Sequence, residues 1–307
     1  LWLNTIFCHL TLKVRYHNKT GTKIKFYDRI EKREKLAFQK GVFIIIKINE
    51  EKCVGCGLCA KDCLAFNIEI HNHKAHIIKD CLHCGHCVAI CPQKAVSIPE
   101  YDMEDVEEYD PDSFCLEPEQ VLHAIKFRRS IRSFKPEKLA QSELELLVQA
   151  GRYTATAKNC QGNGFIFIQE ELEHLKSMVW DYIENIEVQS EKNISRDLLP
   201  YLSFNRRRKA DPTDDYLFRN APVVLFITSD RSLDAGLAAQ NIETMAVSME
   251  IGVLYNGYLS RIANADLALK KWLGIEGETI QACMLLGYPN RRYLRTAPRK
   301  KAHVIWK

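Results

Sequence analysis

The chain has no long apolar run: near its start the longest is VFIII at 42–46, far short of the roughly 18 residues that span a bilayer. No transmembrane helix is expected. The first 45 residues also lack the ordered basic, apolar and small-residue stretches of a secretion signal. Nor does charge of one sign dominate. Lys and Arg total 43 against 39 Asp and Glu, a net of +4, too mild to argue for nucleic acid as a partner. There is no G-x-x-x-x-G-K-S/T loop, and the glycine pair of QGNGF at 161–165 precedes a strand-like run instead of following one, which disfavours a dinucleotide-binding turn. No nicotinamide signature and no general acid stand out. At 46% hydrophobic and 27% charged over 307 residues, the composition is that of a soluble globular protein of about two domains.

Cysteine, by contrast, is abundant. Of the 12, eight fall in two runs, Cys53, Cys56, Cys59, Cys63 and Cys81, Cys84, Cys87, Cys91, each member 28 residues from its counterpart. A chain this long and apolar has no need of disulfide staples, and so many reduced cysteines point to the cytoplasm. The spacing C-x2-C-x2-C-x3-C wraps a short loop around a cubane so that three thiolates reach one cluster and the fourth points away. A zinc ribbon is the rival, but ribbons usually pair two C-x2-C knuckles a dozen or more residues apart. The repeat closely resembles the bacterial two-cluster ferredoxins, in which the fourth cysteine ligates the other cluster. That resemblance implies one 4Fe-4S cluster on Cys53, Cys56, Cys59 and Cys91 and a second on Cys63, Cys81, Cys84 and Cys87. Gly55, Gly57 and Gly85 would let backbone N–H groups approach sulfur. Pro92 follows the last cysteine as the family pattern asks, whereas Leu64 stands where the first run should have its proline, so a weaker turn is expected there. The nearby His71, His73, His76, His83 and His86 are expected on the solvated surface, with cluster tuning a minor role. The strand-like runs IIKI, IEI, HII and AVSI around the cysteines fit a small α+β ferredoxin domain over 45–100.

Residues 101–116 read as a linker, because YDMEDVEEYDPDS carries seven acidic residues and no apolar periodicity. In PEQVLHAIKFRRSIRSFK, Val121, Leu122, Ile125 and Phe127 mark a helix whose end delivers Arg128, Arg129, Ser130 and Arg132 together. Such side chains suit phosphate oxygens, although taken alone a solvated basic helix end is the favoured reading. The order of segments over 117–307 resembles that of the FMN-dependent nitroreductase family. RRSIRSF matches its opening phosphate-and-pyrimidine loop. The helix ELELLVQAGRYTATAKNCQ sets Ala155, Thr156, Ala157, Asn159 and Gln161 against the family's A-P-S-A-x-N-x-Q segment, with Ala155 in place of the proline and Thr156 of the serine. A buried strand NAPVVLFIT at 220–228, a helix from Ala235 to Ile251 ended by Gly252, the segment GVLYNGYL, and the strand ACMLLGYP before the basic tail RRYLRTAPRKK complete the match.

This second resemblance implies an α+β domain with a central antiparallel sheet flanked by helices. It implies FMN anchored by Arg128, Arg129, Ser130, Arg132, Thr156, Asn159, Arg299 and Lys300, with Arg295 the runner-up in the tail. Backbone amides at Tyr255, Asn256 and Gly257 would face the flavin N5 edge, and FMN would lie between the subunits of a homodimer. Residues 174–216 fall where the family covers its pocket, so a lid is expected; for the RRRK run at 206–209 a solvated loop is the plainer reading. Cys115, Cys160 and Cys283 share no spacing and read as inert core thiols, while Cys8 lies in residues 1–44. That extension is expected to be an upstream translated segment or a poorly ordered tail, because IIKINEEKC at 45–53 looks like a beginning.

Together the resemblances imply an oxidoreductase whose clusters take electrons from an external low-potential donor, whether a ferredoxin, a flavodoxin or an NAD(P)H-linked protein. FMN would pass them to a nitroaromatic, quinone or similar small acceptor. The rivals are a non-enzymatic iron–sulfur flavin carrier, a redox sensor serving a partner protein, and a flavin-modifying or dehalogenating relative.

Overall fold

In the computed structural model the described residues are 14–16, 46–79, 81–114, 116–189 and 196–307. Apart from 14–16, the expected extension lies outside them, as do Cys8 and Cys115. Contacts divide the chain into two compact units, Thr20–Cys115 and Leu116–Lys307, the latter including Leu1–Lys19, whose described part is strand β1 (Val14–Tyr16).

In the cysteine-rich unit, β2 (Lys47–Ile48) pairs antiparallel with β5 (Val96–Ser97), and β3 (Ile68–His71) with β4 (Lys74–Ile77). Two short helices, α1 (Leu58–Asp62) and α2 (His86–Ala89), begin at Gly57 and Gly85. Both glycines are left-handed, with φ of 77° and 76°, a conformation that costs glycine least. Ile46, Ile68, Ala75, Ala95, Val96 and Ile98 form the small core with three buried cysteines. The turn at Leu64 keeps its shape without a proline. Phe66 and Lys94, 28 residues apart, share a φ of 49°, and their N–H groups donate to Cys63 O at 3.0 Å and Cys91 O at 3.1 Å. The acidic segment belongs to this unit: Lys94 pairs with Glu108 at 2.7 Å, and Asp102 caps a single 3-10 turn, Met103–Asp105.

In the larger unit the sheet runs β1, β6 (Gly164–Ile168), β7 (Val223–Thr228), β9 (Ile280–Gly287), β8 (Gly252–Tyr255). The last four are antiparallel to their neighbours, and β1 adds a parallel edge to the expected antiparallel sheet. Seven helices are described around it: α3 (Pro118–Phe127), α4 (Gln141–Arg152), α5 (Leu172–Gln189), α6 (Leu199–Ala210), α7 (Ser232–Ser248), α8 (Gly257–Ala265) and α9 (Leu267–Leu273). β7 is buried throughout, and its unbroken run VVLFI is what a strand covered on both faces requires. Val224 and Phe226 join one core with α5 and α8; Val223, Leu225 and Ile227 join the other with α4 and α7. Each such side chain contributes roughly 1.5–3 kcal/mol on burial. No described helix is long and apolar enough to cross a membrane.

Three expectations need correction. The helix expected through Gln161 stops at Arg152, where Tyr153 caps it, and further along Lys158, Asn159 and Gln161 adopt left-handed φ of 56°, 53° and 48°. α7 ends at Ser248, and the reversal is made by Glu250 at φ 57°. Gly252 instead opens β8, where a Cβ would lie 2.6 Å from Ile131 Cγ1. Lastly, RRRK occupies the end of α6, not a loop. Arg207 pairs with Asp214 at 2.7 Å, Arg208 with Glu184 at 2.7 Å and Lys209 with Glu187 at 3.3 Å. Tyr201, Leu202 and Phe204 of the same helix are buried, so most of the expected lid is packed structure.

Candidate functional site

Cys53, Cys56, Cys59 and Cys91 line one small cavity in the cysteine-rich unit. The thiol of Cys59 is pushed up by burial and, further, by the charges of Cys53, Cys56 and Cys91. Cys81 is pushed up by burial, then by Cys84 and Cys63. Burial, followed by Cys81 and Cys84, carries Cys87 to about 12. Cys91 therefore lies with Cys53, Cys56 and Cys59, and Cys63 lies near Cys81. Backbone N–H groups donate to sulfur in both sets: Ala75 to Cys53 at 3.4 Å, Ala95 to Cys91 at 3.3 Å, Asn67 to Cys63 at 3.4 Å and His83 to Cys81 at 3.2 Å. Lys74 Nζ donates at 2.6 Å to the carbonyls of Glu50 and Cys53 and so ties β4 to the first loop. Four thiols around one cavity with N–H donors at their sulfurs fit a polynuclear iron cluster. Among the described residues no three Cys, His, Asp or Glu side chains close as ligands of a single ion.

Gly55 has φ of 67°, and a Cβ there would collide with the backbone of His73. At the equivalent place in the second run stands His83, at φ 50°. His71 and His86 are exposed and bond Glu69 and Asp62, each at 2.9 Å, as expected of surface histidines.

The larger unit holds a cavity of about 270 Å3 lined by Arg132, Tyr255, Asn256 and Gly257, all of which the sequence analysis selected. The chain brings them together because the RRSIR segment runs beside β8. Ser130 bridges to Val253, and Ile131 N donates to Val253 O at 3.0 Å. Asn256 caps α8: its Oδ1 accepts from Leu259 N at 3.1 Å and its Nδ2 donates to Leu217 O at 2.7 Å. Its own amide donates to Cys283 O at 2.8 Å. The amides of Gly257 and Tyr258 begin α8, where helix geometry provides them no partner, and a Cβ on Gly257 would meet nothing within 4 Å. In the same lining Phe204 stacks on Tyr216 with centroids 5.0 Å apart, and the guanidiniums of Arg219 and Arg207 lie 3.6 Å and 4.4 Å from the Tyr216 ring centroid.

The other expected FMN contacts do not line this cavity. Arg128 Nη1 pairs at 3.1 Å with Glu243 Oε1 of α7, a carboxylate only 2% exposed. Burial pushes Glu243 up against the opposing pull of Arg128 and the Tyr255 hydroxyl, and Tyr255 is itself pushed up by burial and by Glu243. Thr156 Oγ1 accepts from Gln161 N at 2.9 Å, which closes its own loop. Arg299 and Lys300 lie in the exposed, extended tail. Phe204 and Tyr216 come from 174–216, the segment expected to cover the pocket. The sequence analysis missed Glu243, Arg219, Tyr258 and Arg261, of which only Tyr258 and Arg261 carried a signal, as positions one and four residues beyond Gly257 on a helix.

Residues 125–288, more than half of the chain, match the profile of the nitroreductase family, and the chain belongs to that family. Residues 45–92 match the profile of a 4Fe-4S dicluster domain. A protein of the ion-translocating oxidoreductase complex of Methanosarcina acetivorans is 46% identical over 50 residues, which are 16% of this chain and 19% of that protein. The chain thus spans less than a fifth of that relative. Among solved structures, an FMN-bound nitroreductase of Bacteroides fragilis is 20% identical with a TM-score of 0.48, covering 61% of this chain and 97% of its own. Another, from Desulfitobacterium hafniense, is 22% identical with a TM-score of 0.48, covering 61% of this chain and 98% of its own.

Proposed function

We propose that the protein is an iron–sulfur flavoprotein oxidoreductase that takes electrons through two 4Fe-4S clusters to FMN and on to a small acceptor such as a nitroaromatic or a quinone. The observation that carries this reading is the presence, in one chain of the nitroreductase family, of two interleaved thiol sets and a cavity lined by Arg132 and the start of α8. Cys53, Cys56, Cys59 and Cys91 would ligate one cluster, and Cys63, Cys81, Cys84 and Cys87 the other.

Bound in the cavity, FMN would supply the two-electron hydride chemistry that single-electron clusters lack. Arg132 has no ion-pair partner among the described residues and would offset negative charge on the cofactor. The Gly257 and Tyr258 amides would donate to its N5 edge, and the Phe204 and Tyr216 rings would exclude water and stack on a planar acceptor. Burial and Glu243 hold the Tyr255 hydroxyl above its ordinary range, which makes it a poor acid, and solvent is the proposed source of protons. Arg128, Arg129, Ser130, Thr156, Asn159, Arg299 and Lys300 take part only where a second copy completes the site, and the proposal is therefore a homodimer. Ten described cysteines are free thiols, in keeping with a cytoplasmic location.

An open cavity favours an enzyme over a carrier. In the single chain Tyr255 and Tyr258 at its wall are 42% and 38% exposed. The test is anaerobic turnover of nitroaromatics and quinones with a reduced ferredoxin, a flavodoxin or NAD(P)H as donor. Reduction driven by a low-potential one-electron donor is expected. FMN that is reduced but reoxidised by no small molecule would replace this reading with the carrier.

A further inference from the structure

The two cysteine runs are related by 28 residues, and this relation pairs Asn67 with Ala95. Both positions are buried, at 0% and 3% exposure. Both do the same backbone work, the N–H of each donating to the sulfur of the fourth cysteine of its run, at 3.4 Å for Asn67 and 3.3 Å for Ala95. The first repeat alone adds a carboxamide. Its orientation is fixed, because Asn67 Oδ1 accepts from Lys79 N at 2.7 Å and an NH2 group cannot accept in its place. Nδ2 is then directed away from Lys79, fully buried and without a hydrogen-bond partner in the protein. Through its backbone bond to Cys63 Sγ, Asn67 stands beside the thiol set of Cys63, Cys81, Cys84 and Cys87. A buried polar group without a partner is seldom retained unless a ligand satisfies it.

We infer that Asn67 is a positioning residue that makes the two clusters unequal, by donating an amide N–H to the sulfur shell of the cluster on Cys63, Cys81, Cys84 and Cys87. This rests on the cluster assignment proposed above. Hydrogen bonds to sulfur stabilise the more negative, reduced cluster and raise its potential. The cluster beside Asn67 is therefore the higher of the two, the one on which a single electron settles first. The other cluster meets only a methyl group at the matching position.

The test is an anaerobic potentiometric titration of the full holoprotein, followed by EPR, with iron content measured on each sample. Asn67→Ala, which copies the other repeat, should lower the potential of one cluster and leave the second unchanged at full iron content. Asn67→Asp has the same shape and still accepts from Lys79 N, but replaces the donor to sulfur with a charge, and should lower that potential further. Ala95→Asn should raise the potential of the other cluster. Unchanged potentials in the fully loaded Asn67 variants, equal shifts of both clusters, or loss of iron from both Asn67 variants would overturn the inference. Wild-type protein without about eight irons per chain would instead overturn the cluster reading beneath it.

Discussion

Glu243 is 2% exposed, with Arg128 and Tyr255 the groups that hold its charge. Burial raises its carboxyl above the ordinary 4.5, so the folded chain binds this proton more tightly than the unfolded chain does. The cost of ionising Glu243 is absent below that ordinary value, grows as pH rises to the folded one, and is constant beyond it. Glu243→Gln should remove this dependence: as pH rises above the ordinary 4.5 the wild type should lose melting temperature relative to the variant. Parallel curves would contradict the assignment. In FMN-free protein, Arg128→Met should destabilise by ~3 kcal/mol at neutral pH, since it strands a buried carboxylate, and by less in acid. At Gly55 the left-handed φ of 67° and the adjacent His73 backbone predict that Gly55→Ala lowers iron from about eight to about four per chain, whereas His83→Gly keeps both clusters. The eight cysteines were legible because their chemistry is written in spacing along the chain. Glu243 and Asn67 were not, since neither belongs to a motif and each acquires its role only from residues the fold brings near.

Among the elements, α8 depends on its first residues. Asn256 closes both the first turn, through Leu259 N, and the preceding loop, through Leu217 O. Asn256→Ala should cost about 1–2 kcal/mol for the cap, and more for the carbonyl left unpaired, read as a lower melting temperature. α4 packs against β6 and α7 at Gly151, where a Cβ would lie 2.7 Å from Phe165 and 2.9 Å from Ile242. Gly151→Ala should therefore destabilise by about 1–3 kcal/mol through overpacking; an unchanged melting temperature would mean that the sheet gives way there. Strand β7 and the ACMLL stretch of β9 were legible because a strand covered on both faces must be apolar there. The helix ends were not, because α4 is capped by Tyr153 and α7 is reversed by a left-handed Glu250, types that carry no stop signal. The RRRK run was misread for a related reason: a basic run looks like a solvated loop until Glu184, Glu187 and Asp214 are brought beside it.

At the scale of the whole molecule, each candidate site is built within one compact unit. The thiol sets use only residues of Thr20–Cys115, and the arginine-lined cavity only residues of Leu116–Lys307. Cys87→Ser should therefore impair one cluster yet leave FMN content and the melting of the larger unit unchanged, which metal analysis, flavin absorbance and calorimetry on one sample would check. Loss of FMN along with iron would mean that the two sites are not independent. The central claim, that electrons entering at the clusters leave from the flavin, is tested most directly by anaerobic reductive titration of the holoprotein, followed by visible absorption and EPR, with a nitroaromatic added at the end. The account predicts about eight irons and one FMN per chain, and cluster and flavin signals that return together to the oxidised form when the acceptor is added. Clusters that reduce while flavin is absent, or a flavin that stays reduced in the presence of the acceptor, would contradict it.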